Sequence, residues 1–285
     1  MKEHDESLST RDLKRLCSLI YEQTGIVINA EKQVMLEGRL KRRMAALKMA
    51  SYWEYCGYLF TGAGHHPEEI IQLIDAVTTN KTDFFREKPH FDFLVAKALP
   101  DLMSRNRSGR EILIWSAGCS TGEEPYTMAL VLNEYAQSHP GFHFRVLATD
   151  ISTDVLARAR LGIFNHEVVR PVPADLRKKY FMRSRDRKSN ILRVVPELRE
   201  TIEFRRLNFM EDFGMTEMAD VIFCRNVIIY FDPPTQERIL QKLSRQLVDG
   251  GYMFVGHSET LHRMDVPLVP IAPALYRKIS DRDQI

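Results

Sequence analysis

Trp115-Ser116-Ala117-Gly118-Cys119-Ser120-Thr121-Gly122-Glu123-Glu124-Pro125-Tyr126 carries an apolar strand into a run of small residues and out into a helix. Pro125 suits the first turn of that helix, where its missing N–H is no loss. Ala117, Gly118 and their small neighbours allow a ligand to approach the backbone closely. The glycine spacing is Gly-xxx-Gly, which is neither the dinucleotide fingerprint nor a phosphate-cradling loop ending in Gly-Lys-Ser/Thr. Glu123 and Glu124 at the helix start would repel a phosphate. An adenosyl ligand without phosphates, bearing a cationic sulfonium and an ammonium group, suits this acidic lining; an unliganded strand-to-helix turn is the alternative.

Outward from this loop, short apolar runs alternate with helical periods from Arg110 onward, the pattern of βαβ units. Strands are expected at 111–116, 143–149, 201–207, 219–224 and 251–256, with a hairpin-like run near 266–278 and helices at 123–137, 152–160 and 233–247. The implied fold is α/β, a doubly wound, mostly parallel sheet. Ligands of such sheets bind at the carboxyl ends of the strands. Asp150 ends the second strand, where it can accept hydrogen bonds from both ribose hydroxyls of an adenosine or cap the next helix. Asn226 and Tyr230 follow the fourth strand at the same edge. Asp232-Pro233-Pro234 lacks the aromatic residue that would complete an amino-methyltransferase tetrapeptide, and reads as a helix start. The interval 161–200 breaks the rhythm with Pro171, Pro173, a basic turn over 184–190 and the strand-like run 191–195, which together suggest a small inserted β-subdomain.

Upstream, the first hundred residues read as helices. Ser9 and Asp12 form a capping box for a helix that Gly25 ends. Over 31–48, Leu36, Leu40, Met44 and Leu47 make one apolar stripe, and Arg39, Arg42 and Arg43 are expected to point away from it. A third helix is expected over 67–77. The division implied is 1–88, a helical domain with its linker, and 89–285, the α/β domain.

The chain has 285 residues, 44% of them hydrophobic and 27% charged, a globular composition that excludes disorder as the main theme. Cys17, Cys56, Cys119 and Cys224 are too scattered for a disulfide framework or a structural zinc site. Neither a span of about 18 apolar residues nor an apolar leader is present, so no membrane insertion and a cytoplasmic location are expected. The net charge of +2 hides an uneven distribution. Residues 31–48 carry net +4 and residues 163–200 net +5, leaving −7 on the remainder. Two basic faces suggest an acidic partner, nucleic acid or protein, unless they are solvated helix surfaces.

Three stretches together resemble the CheR family of chemotaxis receptor glutamate methyltransferases: Thr78-Thr79-Asn80-Lys81-Thr82-Asp83-Phe84-Phe85-Arg86-Glu87, the loop Trp115–Tyr126, and Phe223-Cys224-Arg225-Asn226-Val227-Ile228-Ile229-Tyr230-Phe231. Gly256-His257-Ser258-Glu259 extends the match, which runs over nearly the whole chain. The resemblance implies a class I methyltransferase-like sheet with a small all-helical N-terminal domain and a β-subdomain insertion. It implies S-adenosylmethionine as methyl donor, S-adenosylhomocysteine as product and no metal. Cofactor contacts are implied for Asn80, Thr82, Arg86, Glu124, Asp150, Asn208, Phe209, Asn226 and Val227, beside the loop residues Ala117 and Gly118. Phe209 departs from the family, in which an aliphatic residue is common.

The reaction so implied is methyl transfer to the carboxylate of chemoreceptor glutamates, in chemotaxis adaptation. Arg86 is expected to orient that carboxylate, with Tyr230 as a polar aromatic wall. Arg39, Arg42 and Arg43 would face acidic receptor helices, and the insertion could capture a receptor C-terminal peptide as an added strand. Two rivals stand beside this reading: a nucleic-acid methyltransferase, disfavoured by the incomplete Pro-Pro-aromatic motif, and an adenosyl-ligand sensor without turnover.

Overall fold

Among the described residues, four helices come first and pack together: α1 (Thr10–Thr24), α2 (Ala30–Leu47), α3 (Tyr52–Phe60) and α4 (Pro67–Val77). The computed structural model describes residues 7–61, 66–106, 109–186 and 189–279, with backbone alone at 30–32. Ser9 Oγ accepts from Asp12 N–H at 3.1 Å, and Gly25 closes α1 in the left-handed region at φ 72°. The apolar stripes of these helices share a core of Leu16, Ile20, Leu36, Leu40, Tyr55, Leu59 and Leu73. Helix α3 is unforeseen by the sequence reading, because its aromatic residues favour strands. Ser51 caps it, and Tyr52, Tyr55, Cys56 and Leu59 bury one helical stripe.

The expected outward basic face of α2 holds for Arg42 alone among its three arginines. Arg39 folds over the end of α4, donating to the carbonyls of Ala76, Val77 and Thr78 at 3.3, 2.5 and 2.6 Å. These carbonyls lack intrahelical partners, so a guanidinium beside them is favourable. Arg43 makes a two-pronged ion pair with the buried Glu69, which also accepts from Tyr55 Oη at 3.0 Å. The side chains of Glu31 and Lys32, counted in the +4 charge of this stretch, lie outside the described residues, as do Arg187 and Lys188 of the second basic stretch.

After the linker, α5 (Pro89–Phe93), a π-turn (Leu94–Ala98) and α6 (Leu99–Arg105) run on as one helical segment. Pro100 has no N–H to give to the preceding turn, which accounts for the local widening. The α/β part then follows in chain order as β1 (Ile112–Ala117), α7 (Glu123–Ser138), β2 (Phe144–Asp150), α8 (Thr153–Leu161), β3 (Ile163–Asn165), α9 (His166–Val169), α10 (Ala174–Tyr180), β4 (Phe181–Arg183), β5 (Ile191–Val194), α11 (Pro196–Arg199), β6 (Ile202–Arg206), β7 (Ala219–Cys224), α12 (Pro233–Arg245), β8 (Leu247–Val255), β9 (Leu268–Ala272) and β10 (Leu275–Lys278). The main sheet has the order β6-β2-β1-β7-β8-β10-β9, with β10 antiparallel to both neighbours. A second sheet, β3-β5-β4, is antiparallel and forms the insertion. Alternate residues of β1 bury on opposite faces, Ile112 and Ile114 with α7, Leu113 and Trp115 with α12.

Strand β8 begins at Leu247 rather than 251, and α12 stops at Arg245 rather than 247. Leu247 is recruited into the sheet opposite Ala219, and a register shift beyond Ala219 absorbs the extra residues before the regular pairing at Val221. The sheet order reverses between β1 and β7, which opens a crevice at their carboxyl ends.

Removing Arg43 would leave Glu69 buried with its charge unmatched. Arg43→Ala is therefore expected to destabilise the helical domain by about 3 kcal/mol, read as an earlier urea midpoint, and Glu69→Gln in the same background should recover most of the loss.

Candidate active site

The crevice between β1 and β7 deepens into a cavity of about 290 Å³. Gly118 leaves β1 at φ 95°, and a Cβ there would strike the Val227 side chain; the two strand ends approach as closely as they do because no side chain intervenes. The amides of Gly118 and Cys119 both donate to Thr149 O, at 2.8 and 2.9 Å, so the loop is pinned to the end of β2. The cavity has walls from both parts of the chain. Ile26 and Ile28 after α1, Met35 of α2, and Val77 with Thr78 at the end of α4 line it.

Asp150 projects from β2 into the cavity wall and accepts from Ser120 N–H at 2.9 Å and Ser152 N–H at 3.0 Å. Burial raises its pKa above the usual aspartate value, and these amides oppose the rise. The cap of α8 is Ser152, whose Oγ accepts from Val155 N–H, so Asp150 is not used for that purpose. Glu124 also faces the cavity; Ser116 Oγ donates to it at 2.8 Å and Arg225 Nη1 at 3.1 Å. Burial raises the Glu124 pKa, and Arg225 opposes it. Glu123, read from the sequence as part of the same acidic lining, turns away: its carboxylate takes the Thr121 hydroxyl at 2.6 Å, and it is buried outside the cavity wall.

The other expected site residues converge here. Asn80, Thr82 and Arg86 come from the linker, Asn208 and Phe209 from the loop after β6, and Asn226, Val227 and Tyr230 from the loop after β7; all line the cavity. Ala117 is the exception, the buried last residue of β1. The Asn208 amide nitrogen is engaged by Gln23 O at 2.7 Å and Glu211 Oε1 at 3.1 Å, which ties this loop to the helical domain. Asp232 caps α12, accepting from Thr235 N–H at 3.0 Å, and also receives the Tyr21 hydroxyl at 2.8 Å. Val27 N–H donates to Tyr230 O at 2.9 Å, and Ile26 bridges Phe231.

Two charged residues given no role by the sequence reading hold these loops. Arg225, 6% exposed, extends an apolar strand with a charge. It pairs with Glu87 and Glu124, both at 3.1 Å, and donates to the Arg86 carbonyl. Burial alone would raise the Glu87 pKa, but Arg225 and the His257 amide hold it below the ordinary value. Glu259 accepts from the amides of Asn226, Val227 and Ile228 at 2.8, 2.9 and 3.0 Å, fixing Asn226 at φ 59°. A carboxylate gathering consecutive amides holds a loop that no side chain of its own orders. The usable signals were an arginine ending the run Val-Ile-Phe-Cys, and a glutamate three residues beyond Gly256 at a strand end.

A mostly parallel sheet with a cavity at its switch point, an aspartate at the end of the second strand and no phosphate loop defines an S-adenosylmethionine-dependent methyltransferase. The comparisons give its kind. Residues 80–271 match the family described as CheR methyltransferase, SAM binding domain, and residues 11–78 match CheR methyltransferase, all-alpha domain. The chain is 38% identical over 276 residues to a chemotaxis protein methyltransferase of Borreliella burgdorferi, covering 95% of each chain. It is 40% identical to chemotaxis protein methyltransferase 2 of Pseudomonas aeruginosa, covering 87% of this chain and 86% of that one, and 38% identical to the Escherichia coli chemotaxis protein methyltransferase, covering 91% and 87%. The chain belongs to the CheR family.

Asp150→Ala should weaken S-adenosylmethionine binding by about 1.5–3 kcal/mol, the loss of a hydrogen bond to a charged group, with the fold intact by circular dichroism. Because the folded-state pKa of Asp150 is raised, the ionised form that accepts from hydroxyls is lost on acidification earlier than for an exposed aspartate. Calorimetric affinity should fall as pH drops through that raised value, and the Ala variant should lack this component. Glu259→Gln should destabilise the protein by about 1–3 kcal/mol through unmatched buried amides and weaken cofactor binding with it.

Proposed function

We propose that this cavity aligns the methyl group of S-adenosylmethionine with the side-chain carboxylate of a chemoreceptor glutamate, which leaves as its methyl ester with S-adenosylhomocysteine as co-product. The observation that carries this reading is Arg86. It enters the cavity wall from the linker, half-buried, its Nη1 donating to Lys81 O at 3.0 Å and its carbonyl held by Arg225. A guanidinium so braced meets a carboxylate in a fixed geometry.

S-adenosylmethionine supplies the electrophile, a methyl group on a cationic sulfur. Asp150 is placed to take the ribose hydroxyls, and the Gly118 backbone admits close approach. A glutamate with a pKa near about 4.3 is ionised at neutral pH, so no general base is required. What the protein supplies is orientation and exclusion of water, which in well-aligned systems contributes about 7–11 kcal/mol. Arg86 holds the acceptor, and Tyr230 forms the adjoining wall. Burial raises the Tyr230 pKa, so its hydroxyl stays protonated.

Receptor contact is assigned to the open groove between α2, α4 and α8, where Arg42 is exposed beside Arg39 and Arg43. Since Arg39 and Arg43 also hold α4, their substitution would combine lost recognition with lost structure. Among the described residues β3 and β4 are the edge strands of their sheet, and with Ile163 and Met182 exposed they suit a receptor C-terminal peptide added as a strand. Among the described residues no helix is long and apolar enough to cross a membrane. We assign the enzyme to the cytoplasm, with the cytoplasmic helices of the receptor.

The test is incubation with methyl-labelled S-adenosylmethionine and a chemoreceptor cytoplasmic fragment. Label released as methanol in mild base indicates a carboxyl ester, and base-stable label would overturn the assignment. Arg86→Ala is expected to lower kcat by about a hundredfold, as when a transition-state donor is removed.

A further inference from the structure

We propose that Glu87, His90 and His257 form a three-ligand site for a zinc-type cation adjoining the Arg225 clamp, a site that methyl transfer itself does not require. One ligand atom from each residue lies within 4.8 Å of the other two. Glu87 Oε2 is 3.4 Å from His90 Nδ1 and 3.8 Å from His257 Nε2. Tetrahedral zinc with bonds of about 2.0–2.1 Å sets its ligands about 3.4 Å apart, so one edge of the site is already formed and the second is a small movement away.

A second observation points to a ligand. His90 is 2% exposed, and neither of its ring nitrogens has a hydrogen-bond partner. An imidazole buried in this way is normally satisfied at one nitrogen at least. Its ring packs on Phe254 at 5.5 Å and stacks with the His257 ring at 5.1 Å and 18°. Phe254 fixes the His90 ring, whereas the His257 side chain is 54% exposed and can swing to present its lone pair. Two imidazoles and one carboxylate are a donor set that suits zinc and disfavours magnesium or calcium. The fourth position would take water.

The site touches the methyltransferase machinery through one atom. Glu87 Oε2, the oxygen that lies within 4 Å of a ring nitrogen of each histidine, is also the oxygen 3.1 Å from Arg225 Nη2. A bound cation and Arg225 compete for it, and Arg225 is the residue that holds Glu124 and the Arg86 carbonyl. Cation binding is therefore expected to weaken cofactor binding without entering the cavity.

The experiment is calorimetric titration of the chelator-treated full chain with zinc chloride. Wild type should show one saturable site that His257→Ala weakens at least tenfold, with unchanged circular dichroism; cobalt(II) should give the intense visible bands of tetrahedral coordination in wild type only. Equal zinc affinity in wild type and variant would overturn the site. Saturating zinc should raise the Kd for S-adenosylhomocysteine several-fold in wild type and leave it unchanged in His257→Ala. An unchanged Kd in wild type would overturn the competition for Glu87. Neither arm requires turnover or a receptor.

Discussion

A buried guanidinium has to be neutralised, and Arg225 meets that need by gathering Glu87 from the linker, Glu124 from the first turn of α7 and the carbonyl of Arg86. An unpaired charge at this depth would cost several kcal/mol, so the three segments must stay together for Arg225 to remain buried. Phe91 and Phe223 lie 5.6 and 5.9 Å from the guanidinium and add to its restraint. The position of Arg86, and through it the presentation of an acceptor carboxylate, follows from that arrangement.

Three carboxylates of the site, Glu124, Asp150 and Glu259, have pKa values raised by burial, and in each the rise is opposed by donors. The opposition differs in kind. Glu259 is answered by backbone amides alone and acts as a fastener of its loop. Asp150 has two amides and a remaining face on the cavity. Glu124 is answered by a serine hydroxyl and a cation, so its charge reaches the cavity largely compensated. One residue type thus yields a structural anchor, a ligand acceptor and a modest electrostatic bias, according to who donates to it.

Local chemistry explains what the sequence made legible. The βα alternation, the Ser9 and Asp232 caps and the small-residue loop at Gly118 are each encoded within a dozen residues, so the sheet class and the cavity's location could be read directly. Helix α3 was hidden because tertiary burial of Tyr55 and Leu59 overrides the strand preference of its aromatic residues. Arg39 and Arg43 were misread for a related reason. Periodicity shows which residues leave the apolar stripe of α2, but not that Glu69 and the end of α4 stand on the other side. Arg225 and Glu87 are 138 positions apart, and no local pattern announces that pairing.

The bridge between Ile26 and Phe231, with Tyr21 reaching Asp232, makes the ligand cavity a joint between the beginning of the chain and its last third. Tyr21 and Asp232 are 211 positions apart, so this is a contact of high sequence separation. During synthesis the helical bundle can therefore form well before it has a surface to dock on. Any ligand seated in that joint is tied to both sides and stabilises the docked arrangement by mass action, about 2.7 kcal/mol at a hundredfold excess over Kd. A ligand in this cavity therefore acts on the docking of the two parts as well as on the chemistry between them.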